Sequence, residues 1–281
     1  MRLSLLTMLT TLPAAFASAG CAGSVSGTAD AEAGTTTSAV IVIERNVDAT
    51  QGARAEGSAR FIRVAAPASA ADALHVIGAA LDLPPRGACA TVSSLAGASV
   101  PTDTAPFVQL VDVGAVSLEA DGVGMRLLPR QLPDVTDVVT GVVYDRAAEA
   151  ALLPAASRYV THVTGGPGLP SFDVVSSAPS DATTVRLTGE DGQGRLTVTG
   201  GSVELAWPTG SADDVVYIDL GPGGVRCVFD DVGHGSVSTL LFDDAGTVMV
   251  HRLHREGFRA PGIDSGEIRF DFARSLTFVR R

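Results

Sequence analysis

The chain of 281 residues has no lysine, and Asn46 is its one asparagine. All 20 basic residues are therefore arginine, against 31 acidic ones. A genome rich in G and C explains both shortages better than arginine forks selected to grip carboxylates. The net charge of −11 repels phosphate backbones and anionic lipid heads, which excludes nucleic acid as a partner and polybasic docking on a membrane. Aromatic residues make up 5%, with one Trp and three Tyr, too few for a flat sugar-binding platform. Trp207 is expected in the core, and Tyr217 opposite the inward face. No HExxH or CxxC pattern marks a zinc site, and no Gly-x-Ser-x-Gly elbow marks a serine hydrolase. The glycine-rich stretches at 165–168 and 221–224 carry no Lys-Ser/Thr and precede strands, so neither has the helix N-terminus that holds a phosphate.

What is present begins with an address. Arg2 is followed by an apolar run from Leu3 to Phe16, interrupted by Pro13 and too short to span a bilayer as a permanent helix. Residues 16–27 read FASAGCAGSVSG. Two processing sites overlap there: Ala17-Ser18-Ala19 would release a soluble, secreted protein, and Ala19-Gly20 before Cys21 would leave a lipid-bearing cysteine. The segment from Ala22 to about Ser38 is nearly all Gly, Ser, Thr and Ala, with too little apolar surface to order itself. A polar tether directly after a cysteine suits an anchored globular domain. The expectation is a signal peptide over 1–20, lipidation (diacylglyceryl and palmitate-type acyl chains) at Cys21, and a linker over 21–38. Ala22 after the anchor, where an aspartate would retain a lipoprotein at the inner membrane, resembles the outer-membrane sorting pattern of diderm bacteria. The alternative localisation is secreted.

Cleavage before Cys21 leaves 19 basic and 31 acidic residues. It also leaves two further cysteines, Cys89 and Cys227. In an exported chain these can pair across the two halves, or remain as two buried thiols.

The folded part reads as strands at short intervals, which predicts an all-β protein of two β-sandwich-like domains with one short helix. AVIVIE (39–44), ARFIRV (59–64), CATVS (89–93), a single strand over 107–120, GMRLLP (124–129), VVTGVVYD (138–145), RYVTHV (158–163) and SFDVV (171–175) make an N-terminal β domain over 39–177. Ser69 caps the helix, with Asp72 three residues on, and Leu74, Ile77 and Leu81 share its face before Pro84-Pro85. Residues 176–183, SSAPSDAT, break the pattern, and a second β-sandwich follows over 178–281. There Val203, Leu205 and Trp207 alternate inward, as do Val216, Ile218 and Leu220. In EIRFDF (267–272), Ile268, Phe270 and Phe272 face the core, and Glu267, Arg269 and Asp271 an exposed surface.

A strand carrying Trp207, a Pro208-Thr209-Gly210 turn and a strand carrying Tyr217 resemble the B and C strands of fibronectin type III, immunoglobulin-like modules. VDVGAVSLEADG, LLPRQLPDVTDVVTGVVYD and the tail from VRCVFDD to GEIRFDFAR resemble an uncharacterised family of exported lipoproteins of myxobacteria and their relatives. That likeness implies location and a domain unit, and it carries no catalytic residue.

Chemistry-bearing residues are few. Of the five histidines, His75, His162, His234, His251 and His254, the pair in HRLHRE stands three apart. Three apart in a strand means opposite faces, so these two do not chelate. FDDVGHGS gathers Asp231, His234 and Ser236, which would suit a hydrolase only if the base reached the nucleophile; a hairpin turn explains the stretch better. Paired acids recur at Asp213-Asp214, Asp230-Asp231 and Asp243-Asp244, calcium candidates if those turns meet, solvated turns otherwise. The expectation is a non-enzymatic cell-envelope lipoprotein: a binding or structural module, held to the membrane at Cys21, with an envelope protein as partner and no cofactor. A calcium-dependent adhesion module and a secreted envelope hydrolase are the alternatives.

Overall fold

The computed structural model describes residues 34–48, 52–66, 68–95, 108–132, 139–150, 153–221 and 224–281. The expected signal peptide, Cys21 and most of the expected linker lie outside the described residues. The chain is all-β, built from eighteen strands and two short helices among those residues.

Four long strands form the spine. β1 (Thr35–Asp48) pairs antiparallel with β2 (Gly52–Ala65). Near the other end of the chain, β17 (Ala245–Ala260) and β18 (Ile263–Arg280) form a hairpin. β1 lies parallel against β18, Ile41 beside Ile268 and Ile43 beside Phe270. Strand β1 begins at Thr35, four residues inside the expected linker. Its threonines have ladder partners in Ala65, Val64 and Arg63, so pairing orders residues whose composition alone would not.

Around this spine the large sheet extends both ways. On one flank lie β14 (Val215–Leu220), β15 (Val225–Asp230) and the short β3 (Cys89–Thr91); on the other, β4 (Val108–Leu110), β8 (Val139–Glu149) and β7 (Leu128–Leu132). β12 (Arg195–Val198) takes over from β1 along the last residues of β18.

Two smaller sheets cover the inner face. The first contains β10 (Phe172–Ser177), β9 (Arg158–Val163), β5 (Val116–Ala120) and β6 (Val123–Arg126). It closes a core in which Ile41, Ile43, Phe61, Phe270 and Phe272 meet Leu118, Tyr159 and Phe172. The second contains β11 (Arg186–Leu187), β13 (Ser202–Ala206) and β16 (His234–Ser238). It closes a core of Val203, Leu205, Trp207, Val216, Ile218, Val250 and Phe278. The inward alternations read from the sequence are therefore the two cores. β18 serves both, Ile268 to Phe272 in the first and Leu276 and Phe278 in the second, and residues 34–281 form one compact unit.

Three local expectations change. The stretch 107–120 is two strands in different sheets, because the chain turns at Asp112–Gly114. Asp112 Oδ1 accepts from both Gly114 N–H and the Tyr144 hydroxyl. Gly114 has φ 77°, and a Cβ there would lie 2.3 Å from the Gly165 carbonyl oxygen. The helix α1 (Ala70–Val76) has the expected capping box at Ser69 and Asp72, but it ends before Leu81. FDDVGHGS is a corner and not a hairpin: β15 belongs to the large sheet, and β16 pairs with β13 in a small one.

Candidate functional site

The outer face of the large sheet carries the polar chemistry. α1 packs Ala73 against Ile62, Val64 and Leu110 on that face. From its end, residues 77–88 run as a strap across the sheet to β3. Arg269 donates to the Ala79 carbonyl and Arg226 to the Asp82 carbonyl. Leu81 and Leu83 pack against Val215, Tyr217, Val228 and Leu253. A disulfide between Cys89 and Cys227 fastens the far end, where the two are register partners of β3 and β15. The face expected to be exposed is thus largely covered: Arg269 is buried, and Tyr217 is 1% exposed. A strap of chain reaching Arg269 across a sequence separation of 190 leaves no mark on the period of β18.

Beneath and beside the strap runs a charged network. Tyr217 donates its hydroxyl to Asp271 Oδ2, and His251 Nδ1 lies 2.8 Å from Asp271 Oδ1. The Tyr217 and His251 rings stack at 4.1 Å, and Arg226 sits 4.9 Å over the Tyr217 ring. Arg226 grips Asp219 with two bonds of 2.7 Å. His251 Nε2 is 3.9 Å from Asp219 Oδ2, too far for a hydrogen bond, and has no hydrogen-bond partner. Burial pushes the Asp271 carboxyl up, but His251, Tyr217 and Arg226 outweigh it and hold the group below its ordinary value. Burial, with Asp271 beside it, drives the Tyr217 phenol well above its own.

Along β1 the outward residues line a series of depressions. Val40, Val42 and Glu44 line the one beside the strap. Glu44 and Asn46 line the next, of about 400 Å³, and Asp48 a third. From residue 40 to residue 48 the row spans roughly 26 Å. In the middle depression, register sets two rows across the strands. Asp271, Glu44, Glu56 and Ala147 form one; His251, Ala273, Asn46 and Arg54 form the other. Glu44, Glu56 and Arg54 make no hydrogen bond or ion pair among the described residues. The walls of the depression, then Asp271 and Glu56, raise the Glu44 pKa.

A second cluster lies on the opposite, inward face of β17, beginning one residue beyond His251. Arg252, 0% exposed, donates to Asp231 at 2.8 Å and lies 3.9 Å from Asp214. Asp231 also accepts from the Trp207 indole and from Gly210 N–H. A Cβ on Gly210 would come within 2.5 Å of both Asp214 and Arg252, so the turn needs glycine to lie this close. His254 Nδ1 is 2.7 Å from Asp214 Oδ1. That bond, despite burial, raises the His254 pKa above 6.5, with Glu256 and Asp213 adding to it. A histidine raised on folding contributes stability that is complete below its unfolded-state value and lost as pH rises through its folded value. His254→Gln is expected to cost about 2 kcal/mol at pH 6, the worth of a charge-assisted bond, and less at pH 9. Urea unfolding at the two pH values checks this.

The sequence candidates fall as follows. His251 and His254 point to opposite faces, as strand geometry requires. Asp231 is engaged by Arg252 and Trp207, Ser236 Oγ donates to Glu204, and His234 is exposed on β16. The structure does not bring these three into a triad geometry. Of the paired acids, Asp214 and Asp231 meet around Arg252, Asp230 pairs with Arg86, and Asp244 with Arg280. Asp213 and Asp243 are exposed. Among the described residues, no three His, Cys, Asp or Glu side chains converge where they could hold a metal ion.

The two charged clusters were not identified as sites from sequence. A faint signal exists in Glu44, Asn46, Asp271 and Arg54, polar residues at alternate positions of strands whose other face is Ile and Phe.

No known protein family matches the chain, and neither does any curated protein sequence. Among solved structures, a 1.5-MDa bacterial ice-binding adhesin, described for its retention at the host cell surface, matches along 88% of this chain. The identity is 12% and the TM-score 0.22, and this chain spans 66% of that one. The Fcho1 Mu homology domain of Danio rerio with bound Eps15 peptide also matches along 88%, at 10% identity and a TM-score of 0.25, covering 97% of that chain. At such scores neither likeness bears on function.

Proposed function

We propose that the chain is a non-enzymatic module of the cell envelope, lipid-anchored to the outer membrane at Cys21, that binds an envelope component through the outer face of its large sheet. The observation that carries this reading is the row of depressions along β1, where the exposed Glu44, Glu56 and Arg54 stand on neighbouring strands with no ion pair among the described residues. Exposed charges gathered in one depression can meet a partner without first giving up another ion pair. The module in this reading uses no metal or other cofactor.

The strand order of the second half supports the resemblance to a fibronectin type III module. β11, β13 and β16 take the places of strands A, B and E, facing β15, β14, β17 and β18 in the places of C′, C, F and G. Trp207, directly after the B-like strand, is inward, and Tyr217 on the C-like strand outward.

Removing the anchor tests the binding surface. Cys21→Ala protein, expressed in a diderm host, is expected to sediment in part with envelope fragments, and the further changes Glu44→Gln, Glu56→Gln and Arg54→Gln to release it. Unanchored protein that is wholly soluble with its groove intact would overturn the reading.

A further inference from the structure

Beyond Leu253, β17 has a neighbouring strand on one side only. Its ladder with β14 stops where Val215 faces Leu253, while its pairing with β18 runs on, His254 beside Phe270 and Phe258 beside Gly266. Among the described residues, no backbone hydrogen bond reaches the other side of residues 254–258. This edge is roughly 16 Å long. It holds no proline, and its first irregularity lies between Phe258 and Ala260. β10, the end strand of its own sheet, approaches the same edge, with the Phe172 and Phe258 rings 6.4 Å apart, yet the two strands share no ladder. An uncovered strand edge is a template for a further strand.

A cleft of about 640 Å³ opens along this edge, lined by residues 177–180, by the turn from Thr209 to Asp214 and by His254 to Gly257. Its side chains are an observation independent of the edge. His254 is 13% exposed in its side chain, and Asp214 takes its Nδ1. Nε2 lies 3.9 Å from Glu256, beyond hydrogen-bond reach, and unlike His251 Nε2 it is not closed off from solvent. The bond to Asp214 favours the protonated ring, which leaves an Nε2–H to donate at the cleft. Asp213 and Glu256 line the same cleft without an arginine partner among the described residues, the neighbouring Arg255 being engaged by Glu267.

We propose that this cleft receives an extended peptide segment of another protein, added as a strand to the free edge of β17, with a basic side chain on Asp213 and Glu256 and a backbone carbonyl accepting from His254 Nε2–H. In such additions main-chain bonds to the edge supply affinity, and the pocket supplies the preference for a side chain. A lone ammonium or guanidinium uses only the two acids; engaging the edge takes an extended backbone. This surface shares no lining residue with the middle depression along β1, so either can fail without the other.

The probe is acetyl-Thr-Val-Thr-Arg-Thr-Val-Thr-amide carrying a fluorophore, titrated with full-length mature protein and followed by fluorescence anisotropy. Saturable binding is expected, weakened about tenfold when Gln replaces the peptide's Arg. Asp213→Asn with Glu256→Gln in the protein should remove that preference, and His254→Phe should weaken both peptides alike. Asp243→Asn, an exposed acid before the far end of β17, should leave binding unchanged. Only alternate amides of an added strand face its neighbour, so N-methylating one alternate set should abolish binding and the other set should be tolerated. Circular dichroism and the unfolding midpoint establish that the cleft variants are folded. Absence of saturable binding, equal binding of the Gln peptide, or tolerance of both N-methylated sets would overturn the proposal. So would a dimer in sedimentation equilibrium that binds no peptide, because a second copy of the chain would then be the occupant.

Discussion

Replacing Cys89 and Cys227 together by alanine is expected to lower the unfolding free energy by about 4 kcal/mol and to make stability indifferent to reductant. The bridge closes a loop with a sequence separation of 138, so it removes a large share of the unfolded chain's freedom. It also has a local role. β3 is a three-residue edge strand, too short to hold its place by pairing alone, and the strap from 77 to 88 depends on it. Gly87 N–H donates to the Val228 carbonyl and Val228 N–H to that of Ala88. In the double variant those amides should exchange faster than amides of β17, which is paired on both sides. Urea unfolding with and without reductant gives the free energy. A double variant as stable as the parent would mean that the bridge does not form in the native protein.

Arg252→Met should cost a similar amount, about 3–5 kcal/mol, by a different route. Methionine keeps most of the volume, so the loss is electrostatic. Asp231 is left as a buried carboxylate without its cation, while Asp214 keeps His254. Asp231 keeps the Trp207 indole and Gly210 amide as donors, so the remaining bonds hold the turn but do not neutralise it. Adding Asp231→Asn to Arg252→Met should recover part of the stability, because a neutral amide still fits the pocket. A double-mutant cycle measures the coupling, which should exceed 1 kcal/mol for such a pair. Additivity within error would mean that the two side chains do not share a buried contact.

What sequence patterns convey is clearest at Ile268, Phe270 and Phe272. A strand has a period of two, so three apolar residues at alternate positions identify one face whatever the strand pairs with. The same holds for Val203, Leu205 and Trp207. The capping box at Ser69 and Asp72 was legible because it is satisfied within one turn. Partners were not legible. β1 joins β18 across a separation of more than 220 residues, and nothing in either strand names the other. Arg269 and Asp271 looked solvent-facing because a strap from elsewhere in the chain covers them. Arg252 lies between His251 and Leu253, and its complete burial follows from two aspartates in two different turns. The groove was invisible for the same reason: Glu44, Glu56 and Arg54 become neighbours only through register.

The proposed lipid tether and the Cys89–Cys227 bridge are both read by one measurement, the intact mass of the mature protein. The protein is purified from membranes of a diderm host and weighed with and without reductant. The expected result is residues 21–281 plus a diacylglyceryl group and an acyl chain, gaining two hydrogens on reduction. A bare mass beginning at Gly20, in the soluble fraction, would contradict the tether and return the protein to the freely secreted alternative.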